Sequence, residues 1–140
     1  MHKIDESIPL QLLRAREATL SFFRPLLSEN AVTEQQWRVF HALYTNGEME
    51  SKQLAKACCI LSPSLTGIIQ RMEQQELIQR RKSDEDQRRS LLTLTDKARL
   101  MYEEISPKLA EQNEELTKRI SADKLKQLNR LLNELSGLTP

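Results

Sequence analysis

The stretch LIQRRKSDEDQRRSLLTLT, residues 77–95, places two short apolar segments on either side of a dense cluster of charge. Apolar and polar residues alternate in both segments, which is the period of a β-strand. We therefore predict one β-hairpin with residues 83–89 as its loop. Like charges held close together repel one another, so a partner is expected to offset the repulsion among five cations: Arg80, Arg81, Lys82, Arg88 and Arg89.

The composition indicates one globular domain of ordinary size. The chain has 140 residues, of which 39% are hydrophobic and 29% charged, as in soluble proteins. The net charge is only +1, so any signal for nucleic-acid binding must be local. No run of about 18 apolar residues exists, and MHKIDESIPL lacks the apolar core of a signal peptide. We expect a cytoplasmic protein that does not enter a membrane.

Apolar periodicity predicts six helices, beginning with helix 1 over residues 8–28. Helix 2 is expected after a capping box formed by Thr33 and Gln36, and it should end near Gly47. Helix 5 is expected from Asp96 onward, with Thr95 as its cap, and should kink at Pro107. Helix 6 follows from residue 121.

The middle of the chain predicts two helices joined by only a few residues. A short helix 3 begins at Ser51, and helix 4 runs from Pro63 to about Gln75, with Ser62 as its N-cap. Helix 4 has an apolar face and a polar face. This pattern indicates a helix-turn-helix, and the alternative is an ordinary helical hairpin with a solvated face.

Helices 1, 5 and 6 carry apolar stripes but come from opposite ends of the chain. The middle of the chain can cover only part of these stripes. We therefore expect a homodimer built from both termini, and the alternative is burial of all three stripes within one chain.

The sequence offers no catalytic group, phosphate-binding glycine loop or metal site. The adjacent Cys58 and Cys59 have neither His2 nor His41 at ligand spacing, so we expect no metal, no cofactor and no enzyme activity. The cysteine pair is interpreted as packing residues, with a redox-sensing thiol as the alternative.

A helix-turn-helix followed by a hairpin wing, between two sets of dimerising helices, resembles the MarR family of bacterial repressors. Asp86-Gln87-Arg88 followed by Leu94-Thr95 matches the wing signature D-x-R then L-T. The recognition helix and its neighbours supply the other matches, which are Ser64-Leu65-Thr66, Arg71-Met72-Glu73, Leu77-Ile78 and Leu54-Ala55.

The resemblance covers the whole chain and implies a mainly α fold with a small β wing, that is, a winged helix-turn-helix. Residues 1–30 and 96–140 would form the dimerisation helices of this single domain. Residues 31–95 would form its DNA-binding lobe.

The resemblance also implies that two recognition helices enter successive major grooves of a pseudo-palindromic operator. It assigns phosphate and base contacts to Ser62, Ser64, Thr66, Gln70 and Arg71. In the wing, Arg88 would reach the minor groove while Asp86 holds its guanidinium in position. Arg89 and Lys82 would contact phosphates. The acidic run at residues 84–86 departs from the pattern of a pure phosphate binder.

Members of the family commonly bind small phenolic or aromatic acids. Such a ligand needs a cation, an apolar slot and hydrogen-bond donors. The candidate residues are Arg14 or Arg16 for the carboxylate, Ser7 for a phenol hydroxyl, and Trp37, Arg38 and His41 for the pocket wall. Their alternatives are plain core for Trp37, a structural histidine for His41 and dimer ion pairs for the arginines.

A narrower resemblance links this chain to repressors of homoprotocatechuate degradation operons. It rests on LLRAREATLSFFRPLL, TEQQWR and LTGIIQRME. It implies 3,4-dihydroxyphenylacetate or 4-hydroxyphenylacetate as an effector that releases DNA by a population shift. Two rival interpretations are a MarR-type repressor switched by oxidation of Cys58 and Cys59, and a helical adaptor that binds no DNA.

Overall fold

A computed structural model describes residues 7–140 and divides into two compact units. The first unit contains residues up to Phe23 together with Lys108–Pro140, and the second contains Arg24–Pro107. The helices are α1 (Ile8–Leu20), α2 (Arg24–Glu29), α3 (Glu34–Asn46), α4 (Ser51–Cys58), α5 (Ser62–Gln74), α6 (Asp96–Thr117) and α7 (Ala122–Ser136). The strands are β1 (Met49–Glu50), β2 (Ile78–Lys82) and β3 (Ser90–Leu94).

The described residues form seven helices, so the prediction of six was wrong. The predicted helix over residues 8–28 ends at Leu20, and α2 begins at Arg24. A tight turn joins the two helices, in which the Phe23 amide donates to the Leu20 carbonyl at 2.9 Å. Pro25 has no amide hydrogen, so it cannot extend α1 but fits the first turn of a new helix.

The predicted capping box at the start of α3 is confirmed. The Thr33 hydroxyl accepts a hydrogen bond from the Gln36 amide at 3.0 Å, and the Gln36 side chain accepts one from the Thr33 amide at 3.2 Å. Gln36 is buried and also donates to the Gln75 side chain at 3.3 Å. The cap therefore also ties the start of α3 to the residue that follows α5.

The two helices α4 and α5 form the predicted pair with a short connection. Helix α5 begins at Ser62, but its N-cap is Leu61, so the prediction of Ser62 as cap was wrong. Leu61 has an extended backbone and its carbonyl accepts from the Leu65 amide at 2.9 Å, so Ser62 already lies in the first turn. The inner face is buried through Leu65, Ile69 and Met72.

The predicted hairpin is confirmed and belongs to a three-stranded antiparallel sheet of order β1-β3-β2. Strands β2 and β3 pair from Ile78 opposite Leu94 to Lys82 opposite Ser90. Strand β1 was not predicted, because two residues carry no periodic signal. Ile78, Leu92 and Leu94 are buried, so the base of the hairpin belongs to the core while its loop projects.

Helix α6 begins where the sequence predicts, since the Thr95 hydroxyl accepts from the Ala98 amide at 3.1 Å. It continues as one helix through Pro107, and the predicted kink there stays a prediction. Helix α7 follows Ser121, whose hydroxyl accepts from the Lys124 amide at 3.3 Å. No residue of α1 or α7 is buried. Among the described helices, none has the length and apolar character needed to cross a membrane.

Candidate functional site

The outer face of α5 carries the five side chains that are predicted to contact DNA from this helix. Ser62, Ser64, Thr66, Gln70 and Arg71 are exposed, opposite the buried face of the same helix. The Thr66 hydroxyl donates to the Ser62 carbonyl at 3.0 Å, which fixes its rotamer and leaves its oxygen as an acceptor. Within residues 7–140, Arg71 has no carboxylate at ion-pair distance, so its charge is available to an external anion.

The tip of the hairpin holds Arg88 in the way that the Asp86–Arg88 spacing predicts. Asp86 Oδ1 accepts from the Arg88 amide at 3.0 Å and from Arg88 Nε at 3.1 Å, and Asp86 Oδ2 accepts from Nη2 at 3.4 Å. The Arg88 side chain is nevertheless 92% exposed. The Asp86 carboxylate thus binds the Arg88 guanidinium at Nε and Nη2, while the rest of the guanidinium faces solvent.

The other arginines of the hairpin are paired within the chain. Arg80 binds Glu73 of α5 at 2.8 Å, and Arg81 binds Glu48 at 2.7 Å. Arg89 lies 3.3 Å from Glu50 of β1. Carboxylates of the chain itself therefore offset much of the repulsion for which the sequence analysis expected a partner, and two of them lie in or next to a strand that was not predicted.

The pKa of Asp86 predicts how the tip responds to acid. Hydrogen bonds from the Arg88 side chain and amide hold this pKa below its ordinary value. A carboxyl with a lowered folded pKa adds stability above its unfolded pKa and loses it as the pH falls through the folded value. We expect the Asp86–Arg88 contact to persist into acid in which an ordinary aspartate is already protonated.

Carbon-13 NMR of the Asp86 carboxyl group tests this expectation. The titration midpoint should lie below that of an unperturbed aspartate and should rise in an Arg88→Ala protein. An Arg80→Ala protein is the control, because Arg80 pairs with Glu73 instead. A midpoint insensitive to Arg88→Ala would contradict the assignment of the shift to Arg88.

Three of the predicted effector residues line one open pocket of the second unit. The pocket has a volume of about 350 Å³ and is lined by Trp37, Arg38, His41, Ala42, Thr45, Asn46 and Ala57. Its size and mixed lining suit a small ligand with one ring and one charged group.

An aromatic group that the sequence analysis missed lies against two of these residues. Trp37 stacks on Tyr102 with ring centroids 4.9 Å apart, and Tyr44 stacks on Tyr102 at 4.2 Å. His41 Nδ1 lies 2.8 Å from the Tyr102 hydroxyl. Tyr102 belongs to α6, far along the chain from Trp37 and His41. No local pattern in the sequence predicts that it contacts them, and the small number of aromatic residues is the one feature that draws attention to it.

Arg38 is partly buried and makes contacts on two sides. Its Nη1 donates to the Cys58 carbonyl at 2.7 Å, and its Nη2 donates to Glu34 Oε2 at 3.2 Å. Nε lies 3.0 Å from Glu34 Oε1. The ion pair with Glu34 lies within α3, and the hydrogen bond to the Cys58 carbonyl links α3 to the C-terminal end of α4.

The comparisons with known proteins give the family. The sequence pattern of the MarR family matches residues 32–90. The chain is 41% identical over 132 residues to the HTH-type transcriptional regulator FarR of Neisseria gonorrhoeae, covering 94% of this chain and 90% of FarR. The chain belongs to the MarR family.

Two further relatives bear on this MarR-family chain. The homoprotocatechuate degradative operon repressor of Escherichia coli is 38% identical over 133 residues, which cover 95% of this chain and 90% of the repressor. The solved structure of NadR in complex with 4-hydroxyphenylacetate superposes with a TM-score of 0.83 at 38% identity and covers 99% of both chains. The chain is therefore a transcriptional regulator, and its α4–α5 pair and β2–β3 hairpin form a MarR-type winged helix-turn-helix.

The remaining predicted effector residues of this MarR-family protein lie in the first unit. Ser7 precedes α1, and Arg14 and Arg16 lie on that helix with exposed side chains. Arg16 is 3.8 Å from Glu17. Their contact with a ligand and their alternative role in dimer ion pairs both stay predictions. Within the described residues, no group of three His, Cys, Asp or Glu side chains could hold a metal ion.

The two cysteines occupy different environments. Cys58 is buried, and burial raises the pKa of its thiol, which disfavours the reactive thiolate. Cys59 is exposed and ends α4 with a left-handed backbone, φ +52°. Any thiol chemistry of this protein is therefore expected to start at Cys59.

A labelling experiment tests the difference between the thiols. With iodoacetamide at neutral pH, we expect Cys59 to be alkylated on the order of tenfold or more faster than Cys58. Peptide mass spectrometry over time measures both rates, and Cys59→Ser should leave only the slow reaction. Equal rates would contradict the assigned burial of Cys58.

Proposed function

We propose that this regulator represses an operon for the catabolism of hydroxyphenylacetate or homoprotocatechuate and leaves its operator when it binds a small aromatic acid. The observation that carries the proposal is the pocket of Trp37, Arg38 and His41, in a chain that is 38% identical both to the homoprotocatechuate operon repressor and to NadR, which was solved with 4-hydroxyphenylacetate. The pocket offers a flat apolar wall and one cation.

Operator binding in this proposal uses α5 and the hairpin. Ser62, Ser64, Thr66, Gln70 and Arg71 contact phosphates and base edges from α5, where all five are exposed. Arg88, held by Asp86, enters the minor groove, and Arg89 and Lys82 contact phosphates. For Arg89, a phosphate has to compete with Glu50.

The proposed regulator acts as a homodimer on a pseudo-palindromic site. The exposed leucines of α7, which include Leu128, Leu131, Leu132 and Leu135, support this assembly. Their spacing places them on one helix face, so a second chain has a continuous apolar surface to cover. Two recognition helices then address two half-sites about one helical turn apart.

The effector chemistry follows from the pocket. The ring of an aromatic acid stacks on Trp37, its carboxylate pairs with Arg38, and His41 donates or accepts a hydrogen bond at the other polar group. The sequence predicts Arg14 or Arg16 as the partner of the carboxylate and Ser7 as the partner of a phenol hydroxyl, and these stay predictions; Arg38 is proposed for the carboxylate because it lines the pocket. The ligand releases DNA only if it binds the non-operator form of the dimer more tightly than the operator form.

Fluorescence anisotropy tests the proposal with DNA from upstream of the gene and its neighbours, at one fixed salt concentration. We expect a specific Kd of about 10 nM or lower. Saturating 4-hydroxyphenylacetate or 3,4-dihydroxyphenylacetate should weaken it by about tenfold or more. Acetate, which lacks the ring, and 4-hydroxybenzyl alcohol, which lacks the carboxylate, are the ligand controls.

The outcomes separate the proposal from its rivals. Tight binding that is indifferent to both acids would contradict the aromatic effector and favour a thiol switch, for which exposed Cys59 is the entry point. That alternative requires oxidant-sensitive DNA binding that disappears in a Cys58→Ser, Cys59→Ser protein. Absence of any specific DNA binding would favour the helical adaptor.

A further inference from the structure

The turn between α4 and α5 is held to α3 by the side chain of Arg38. Its Nη1 donates to the Cys58 carbonyl at 2.7 Å and lies 3.4 Å from the Cys59 carbonyl. These carbonyls close α4, where the helix dipole places partial negative charge, so a cation is favourable there. In addition, the Cys58 thiol donates a hydrogen bond to the backbone carbonyl of Arg38 at 3.4 Å.

Arg38 also lines the pocket assigned to the effector. A guanidinium has two edges that can bind a carboxylate with paired hydrogen bonds. Glu34 lies along the edge formed by Nε and Nη2, where Nη2 donates to Oε2 at 3.2 Å and Nε, 3.0 Å from Oε1, makes an ion pair but no hydrogen bond. The remaining edge is formed by Nη1 and Nη2, and its Nη1 already donates to Cys58.

We propose that Arg38 is the relay that couples effector binding to the recognition helix, an inference that rests on the proposed function. An aromatic carboxylate that takes the Nη1–Nη2 edge competes with the Cys58 carbonyl for Nη1. A charged acceptor forms the stronger hydrogen bond, so the guanidinium moves to the ligand and leaves the end of α4. No covalent bond changes in this exchange.

The consequence reaches α5 because the connection is short. Helix α5 begins at Ser62, three residues after Cys59. Without Arg38, the connection keeps its backbone hydrogen bonds, among them those from the Ile60 amide to Ala55 at 3.1 Å and from the Cys59 amide to Lys56 at 3.3 Å. Cys59 also holds a left-handed backbone, φ +52°, which is unfavourable for a residue with a side chain. Loss of the cation therefore loosens the turn that sets the start of α5, where Ser62 and Ser64 lie.

The test measures how far a saturating effector weakens operator binding, in the full-length protein and its variants. Effector affinity is measured first, from Trp37 fluorescence or calorimetry with 4-hydroxyphenylacetate, so that each variant is compared when saturated. Arg38→Gln removes the cation, and Arg38→Lys keeps a charge but cannot bind Glu34, Cys58 and the ligand at once. Melting temperatures establish that both variants are folded.

The unmodified protein should lose about tenfold or more in operator affinity at saturation. Saturated Arg38→Gln should lose at most about threefold, and its operator affinity without ligand should already be reduced several-fold. Arg38→Lys should bind the effector within about fivefold of the unmodified protein yet show the same reduced coupling.

Two control variants separate the relay from simple ligand binding. His41→Gln should bind the effector more weakly but, once saturated, release the operator as fully as the unmodified protein. Arg80→Gln removes an arginine that pairs with a carboxylate on the hairpin, and it should leave both effector affinity and coupling as they are.

The outcomes distinguish the relay from the function it serves. If saturated Arg38→Gln and Arg38→Lys release the operator as fully as the unmodified protein, the relay is wrong and the effector function stands. If neither aromatic acid affects the unmodified protein, the effector function fails and the relay fails with it.

Amide hydrogen exchange supplies a readout independent of DNA. The effector should accelerate exchange at Cys59 and Ile60 in the unmodified protein, and Arg38→Gln should show that fast exchange without ligand. Unchanged exchange at both amides would overturn the relay.

Discussion

A protein with Leu131→Lys and Leu135→Lys is expected to be monomeric and to bind its operator at least about 100-fold more weakly than the unmodified protein. The leucines of α7 follow the spacing of one helix face, and Leu131 and Leu135 are 51% and 40% exposed in the single chain. In the proposed homodimer, two lysines within the self-complementary interface would have to bury their charges without partners, which costs far more than the interface gains there.

The loss of affinity is expected because a dimer binds the operator through two recognition helices and a monomer through one. A dimer holds its second recognition helix next to the second half-site, so the two contacts reinforce each other. A monomer keeps the same α5 and hairpin but only one half-site. Its residual binding should be close to non-specific and strongly dependent on salt.

Analytical ultracentrifugation and operator titrations measure the two effects in the same samples. Leu138→Lys is the matched control, because Leu138 lies after α7 and is 71% exposed. It should remain dimeric with unchanged affinity. A Leu131→Lys, Leu135→Lys protein that stays dimeric would show that α7 does not carry the assembly.

An Arg88→Ala protein should bind its operator about 10- to 100-fold more weakly and lose discrimination at the bases under the hairpin tip. The reason is the geometry of the tip, in which Asp86 fixes the guanidinium through Nε at 3.1 Å while leaving its outer edge exposed. An arginine held in advance pays less conformational entropy when it enters a narrow groove.

The control for this prediction is Arg80→Ala, which removes the same side chain from the same hairpin. Arg80 is engaged by Glu73 at 2.8 Å, so its loss should cost little affinity. Anisotropy titrations with the operator and with a scrambled duplex separate specific from non-specific binding. Equal losses in Arg88→Ala and Arg80→Ala would contradict a special role for the tip.

The parts of the fold that were predictable from sequence depend on neighbours in the chain. The capping box of Thr33 and Gln36 and the alternation in β2 and β3 are local patterns, and each is confirmed. The break before Pro25 was missed, because apolar residues continue at helical spacing through it. Strand β1 was missed because it exists only through its pairing with β3.

The contacts of the candidate site also divide into those between neighbours in the chain, which could be predicted, and those between distant residues, which could not. Asp86 and Arg88 are two residues apart, so their contact could be predicted, whereas Arg38 reaches Cys58 across twenty residues of chain. Spacing cannot predict a hydrogen bond to a backbone carbonyl, since every residue carries one. The pairing of Arg81 with Glu48 and of Arg89 with Glu50 depends likewise on where β1 lies.

The paired arginines of the hairpin affect how strongly the operator affinity of the regulator depends on ionic strength. Basic residues that meet DNA as bare charges displace condensed counterions, and each displaced ion steepens the fall of affinity with added salt. Arg80, Arg81 and Arg89 already have carboxylates beside them. Each of these arginines can exchange its carboxylate partner for a DNA phosphate, so its charge is neutralised to a similar extent before and after binding. Occupancy of the operator should therefore vary less with cellular salt than a count of the hairpin's cations suggests.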